Sequence, residues 1–102
     1  GNRYIIAAYG VTSWVRNLRA AGEGTLRHAR RTEAIVTTEL APEEAAPVLK
    51  YGLTIGPSIL RRYFEVTPAS PLPDFAREAR RHPVFRIQPA PIKGRVEDTV
   101  AE

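Results

Sequence analysis

The sequence predicts an α+β domain in which helices gather on one side of a four-stranded, mostly antiparallel sheet. Three observations predict it. Short apolar or β-branched segments ("RYIIAA", "TEAIVTTEL", "VFRI") are bounded by glycine, proline or charge clusters, as strands are. Segments with apolar residues three and four apart lie between them, as amphipathic helices do. The connections are mostly too short for parallel crossovers, so the strands pair antiparallel.

The elements follow in chain order. Arg3 to Ala8 reads as a buried strand ended by Gly10. Thr12 or Ser13 is an expected N-cap for a helix over Trp14 to Ala21, which Gly22 stops. On that helix Trp14, Leu18 and Ala21 share a face, Asn17 flanks it, and Arg16 and Arg19 point away. Thr25 to His28 and Thr32 to Leu40 form two strands joined by a tight turn at Ala29 to Arg31. A helix follows Pro42, with Glu43 and Glu44 in its first turn, where the helix dipole favours carboxylates. Its apolar stripe is Ala45, Val48, Leu49, Gly52 and Ile55, and Pro47 kinks it or delays its start. Gly56-Pro57 breaks the chain before a further turn or two in "SILRRYF".

"TPASPLP" is a rigid connector. Ser70 or Pro71 opens a last helix packed through Leu72, Phe75, Ala76 and Ala79, and His82-Pro83 ends it. Val84 to Ile87 is the final strand, with Phe85 and Ile87 on one side. Residues 1–88 form a single domain, and residues 89–102, polar and proline-spaced, read as a flexible tail. Four strands leave exposed edges, which an upstream hairpin or a second subunit in a homodimer would cover.

Composition narrows the function classes. The chain has 102 residues, no cysteine and a net charge of +4. No disulfide framework, thiolate metal site or thiol nucleophile is available. That fits a reducing, cytoplasmic setting. No apolar run approaches a transmembrane span, and the start lacks the features of a signal peptide. Methionine is absent even at position 1, so residues upstream of Gly1 are expected. The positive balance favours anionic partners. Its arginine clusters occur in three separate places, "RHARR", "RR" and "REARRH", with no aromatic residues interleaved, so nucleic acid ranks last among them.

The stretch "AAYGVTSWVRNLRAAG" concentrates the chemistry. A strand runs through a glycine turn into a helix that starts with the only tryptophan, and an asparagine follows one turn later. A helix start offers unpaired N–H groups and partial positive charge. Gly10 lets backbone approach closely, and Ser13 adds a hydroxyl. Trp14 can wall a flat ring system, and Asn17 can hold the turn or bond a ligand. The arrangement suits a planar, anionic cofactor. Each residue also has a plainer role: Trp14 as a core anchor, Asn17 bonded to local backbone.

Those residues resemble the deazaflavin-dependent nitroreductase family, a branch of the flavin-binding split β-barrels. The resemblance starts with "YIIAAYG", runs through "WVRNLRAAGEGTLR" and "RRTEAIVTTELAPEEAAPVLK", and closes with "RHPVFRI", covering residues 3 to 88. Its strongest part is Tyr9, Gly10, Trp14, Asn17 and Leu18. It implies a split barrel whose N-terminal hairpin, with the basic residues that clamp the cofactor's phosphate, would precede Gly1. It also implies hydride transfer from reduced coenzyme F-420 to a nitro compound, quinone or enone. Tyr9, Gly10, Ser13, Trp14 and Asn17 would touch that cofactor, or FMN in its place, and Tyr63 would face the substrate. A non-catalytic ligand-binding member of the same fold is the alternative.

Core packing is the expected role of Tyr51 and Phe64. His82 is expected to cap the last helix or pair with Glu78. The two histidines stand too far apart in sequence, and without cysteines, to indicate a metal site.

Overall fold

Four strands pair antiparallel in the order β1-β4-β3-β2 in a computed structural model that describes residues 2–90. The strands are β1 (Arg3–Ile6), β2 (Glu23–His28), β3 (Arg31–Glu39) and β4 (Val84–Pro89). Helix α1 (Ser13–Ala21) joins β1 to β2; α2 (Pro42–Ile55), a 3₁₀ turn (Ser58–Tyr63) and α3 (Leu72–Glu78) join β3 to β4. The last strand in sequence thus enters the sheet between the first and the third. The sheet of the described residues is open, with β1 and β2 at its edges.

The helices do not gather on one side, contrary to expectation. Successive residues of a strand face opposite ways, and Val84 and Phe85 are both sealed. Val84 belongs to a core with Ala45, Ala46, Leu49 and Leu53 of α2 and Phe75 of α3. Phe85 packs with Ala7 and with Val15 of α1. Helix α1 therefore lies across the sheet from α2 and α3. Phe85 and Ile87 do share a side, as alternation requires, but Val84 is equally buried on the other.

Local chemistry explains most element ends. Gly22, at φ 70°, closes α1 in a left-handed cap, its N–H donating to the Leu18 carbonyl at 2.7 Å. Its own carbonyl accepts from Thr37 at 2.9 Å, which ties the end of α1 to β3. Ala41, the N-cap of α2, has no side-chain acceptor, but its N–H donates to Glu44 Oε1 at 3.2 Å. Pro47 neither delays nor breaks α2, which runs without interruption from Pro42 to Ile55. The buried face of α2 is Ala45, Ala46, Leu49 and Leu53; Ile55 and Tyr51 are exposed, so neither joins the core as expected. In α3, Phe75 and Ala79 are sealed while Leu72 is exposed.

The β2–β3 hairpin turns through Ala29 and Arg30, since His28 pairs with Arg31. Ala29 sits at φ 56°, a left-handed conformation that costs a residue with a Cβ about 1–2 kcal/mol. Ala29→Gly is expected to stabilise the protein by up to about 1 kcal/mol, the relief of strain exceeding the entropy glycine gains in the unfolded chain. A rise in the urea midpoint at unchanged slope would show it.

Strand β4 continues through Pro89, and the Ala90 N–H donates to the Ala34 carbonyl at 2.9 Å. Pro89, where the tail was expected to start, is the last residue of β4. The remainder, residues 91–102, lies outside the described residues. Among the described residues no helix is long and apolar enough to cross a membrane.

Candidate functional site

The turn between β1 and α1 is built by backbone bonds. Ala7 donates to the Pro83 carbonyl at 2.9 Å, and its own carbonyl accepts from Gly10 at 3.1 Å. Gly10 has φ 89°, and a Cβ there would stand 3.4 Å from the Arg81 carbonyl oxygen. The spacing is tolerable; the backbone angle is not, for any L side chain. Gly10→Ala is expected to cost about 1–2 kcal/mol by the strain it imposes, read as a lower thermal midpoint with an unchanged circular dichroism spectrum.

Helix α1 then presents its residues differently from the expected pattern. The sealed residue is Val15, not Trp14 or Ala21. Trp14 stays 41 % exposed, its ring tilted against Phe85 at a centroid distance of 6.4 Å. The indole touches the core through Phe85 and also lines a groove. That groove, about 290 Å³, runs between α1 and the sheet and is lined by Trp14, Asn17 and Leu18 with Ile5, Gly24 and Leu26. Gly24 sets how closely α1 lies to β2, because a Cβ there would come within 3.2 Å of Leu18 Cδ2.

The start of α1 keeps its free donors. Thr12 occupies the N-cap position without a side-chain cap, and its buried Oγ1 has no hydrogen-bond partner among the described residues. The N–H groups of Ser13, Trp14 and Val15 likewise find no acceptor among them.

The six residues singled out from sequence fall into two groups. Trp14 and Asn17 line the groove, and Ser13 stands exposed at the head of the same helix. Tyr9 does not line it. Its ring, 69 % exposed, meets Tyr63 edge to face at 4.9 Å, so the glycine turn and the 3₁₀ turn touch through two tyrosines. Gly10 supplies the bend between the groups.

A larger hollow, about 880 Å³, was not anticipated. It lies beside Arg3, Tyr4, Leu26, Arg31, Ile87 and Pro89. Ile5 and Leu26 line both it and the groove, so the two adjoin on one face of the sheet. Arg3 crosses to Glu33 there in a bidentate pair at 3.0 and 2.7 Å. Those bonds, with the nearby charge of Arg31, hold the Glu33 carboxyl below its ordinary range. The strand order that brings Arg3 opposite Glu33 was not legible in the sequence.

Among the described residues no three potential metal ligands stand together. Compared with protein-family models, with curated proteins and with solved structures, the chain matches none.

Proposed function

We propose that this chain is a split-barrel oxidoreductase domain that binds coenzyme F-420 and passes hydride to an electron-poor acceptor, as its resemblance to the deazaflavin-dependent nitroreductases implies. The observation that carries the reading is the half-exposed indole of Trp14 beside a groove, next to unpaired helix-start amides. A sealed tryptophan with no hollow beside it would have removed the reading's physical basis.

The residues present fit such a group. The groove alone matches the lower end of small-molecule pockets, and the larger hollow adjoins it at Ile5 and Leu26. Trp14 offers an aromatic face for a flat ring, and Asn17, one helical turn on, offers a carboxamide at the ring's edge. The Ser13 hydroxyl and the free amides of α1 suit a carbonyl or phosphate oxygen. Arg31 brings positive charge to the far end of the hollow, where Arg3 is neutralised by Glu33. When bound, F-420 supplies the hydride. The chain's own part is orientation and the exclusion of water by Ile5, Leu18 and Leu26. Tyr63, joined to Tyr9, marks the acceptor's side. No nucleophile is required of the protein, and this cysteine-free chain brings no thiol.

The test is turnover. Reduced F-420 and the protein, given menadione or a nitroimidazole, are expected to regenerate the oxidised deazaflavin absorbance at a rate proportional to protein. Binding of F-420 without turnover would favour a non-catalytic ligand-binding domain. Binding of FMN in preference would replace the cofactor and keep the site. No binding of either would end the proposal.

A further inference from the structure

We infer that His82 is a positioning residue for the β1–α1 turn, and that its imidazole, donating to the Ala7 carbonyl, sets the geometry in which Tyr9 and Gly10 are presented. This rests on the reading of that turn as part of a cofactor site, but the mechanical claim stands on its own contacts.

His82 is buried, 6 % exposed. Its Nδ1 lies 2.9 Å from the Ala7 carbonyl oxygen, across 75 residues of sequence. A carbonyl oxygen is an acceptor only, so Nδ1 carries the proton in this contact. The same oxygen also accepts the Gly10 N–H at 3.1 Å, so both of its lone pairs are used. The neighbouring Pro83 carbonyl accepts the Ala7 N–H at 2.9 Å. Both backbone groups of Ala7 are therefore held by two consecutive residues, His82 and Pro83, and the Arg81 carbonyl backs Gly10. The 81–83 step acts as a mould for the 7–10 turn.

The ring itself is held on its other sides. Phe64 stacks on it at 4.1 Å, with 27° between the planes. Phe64 follows Tyr63, whose ring meets Tyr9. The 3₁₀ turn thus grips the glycine turn twice, through His82 and through Tyr9. On the remaining side, Nε2 stands 3.7 Å from Glu78 Oε1, too far for a hydrogen bond, and that oxygen has no hydrogen-bond partner among the described residues. The other Glu78 oxygen pairs with Arg81, which also reaches Glu65 at 3.1 Å.

The first test uses the unmodified protein. Imidazole nitrogen NMR is expected to show the His82 Nδ1 protonated at neutral pH, whereas a neutral ring protonated only at Nε2 would overturn the inference. Substitution gives the second. An asparagine amide nitrogen can take the place of Nδ1, and phenylalanine fills the site without a donor. His82→Phe is expected to speed Gly10 amide exchange by about tenfold, the equivalent of one hydrogen bond, and His82→Asn to restore most of the protection. F-420 affinity should follow the same order. Gly10 protection unchanged in His82→Phe would refute the positioning role. A wild-type protein that fails to bind F-420 would sink the cofactor reading alone, because the exchange and tautomer results decide His82 without it.

Discussion

Phe85→Ala is expected to lower stability by about 3–5 kcal/mol, the usual cost of emptying a sealed aromatic site. Phe85 is 1 % exposed and packs with Ala7 and Val15, with Leu18 beside them and the Trp14 ring tilted above. It is the largest of the cluster's three buried members, Ala7 and Val15 being the others. Domains of this size hold only about 5–15 kcal/mol in total. A thermal midpoint falling by about 15 °C or more follows, at roughly 4–8 °C per kcal/mol. The cavity opens directly beneath α1, so the only tryptophan should also report it. Its emission should shift to longer wavelength at temperatures where the variant is still folded. Phe75→Ala serves as the control. It empties an equally sealed site, but in the core of α2 and α3 on the far side of the sheet, and should leave the folded-state emission unchanged.

Trp14→Ala should act in the opposite sense, mildly on stability and strongly on the ligand. An indole 41 % exposed contributes only part of its area to the core, so its removal costs less than a buried aromatic would. Stacking of a flat ring on an aromatic side chain is worth about 1–3 kcal/mol, so F-420 affinity should fall by about tenfold to a hundredfold. Trp14→Phe should recover much of it, since a face remains. Isothermal calorimetry on the two variants would give both numbers. Equal affinity in Trp14→Ala and wild type would mean that the groove is not where the ring lies.

Local rules made most of the chain legible. Gly22 ends α1, Pro42 with two glutamates starts α2, and the β2–β3 hairpin turns where charged residues interrupt two β-prone runs. What failed were statements that need the third dimension. Trp14, Leu18 and Ala21 have helical spacing, but so does the pair Val15 and Leu18, and in a helix of nine residues both stripes are equally plausible from spacing. The sheet decided between them. Phe85 faces α1 and Val84 faces α2 and α3, and no spacing rule says which face a crossover helix will take.

Tyr51 and Ile55 were legible as apolar and mistaken as core, because the stripe of α2 is turned toward Ala46 and Leu53. His82 shows the same limit at the site. Beside a proline at a helix end it reads as a cap or as a partner of Glu78, which does stand 3.7 Å away, but its hydrogen-bond partner, the Ala7 carbonyl, lies at the other end of the chain. Trp14 and Asn17 line one groove because one helix carries both. The hollow beside Arg3 and Arg31 was missed because β1 and the β2–β3 hairpin line it together.

The central claim is that the groove beside Trp14 receives a planar, anionic redox cofactor. Because Trp14 is the only tryptophan, its fluorescence is a reporter placed at the site itself. Titration of the wild-type protein with oxidised F-420 should quench that emission along a saturable curve, corrected for absorption by the ligand. Emission that stays constant while F-420 rises to millimolar concentration would contradict the account.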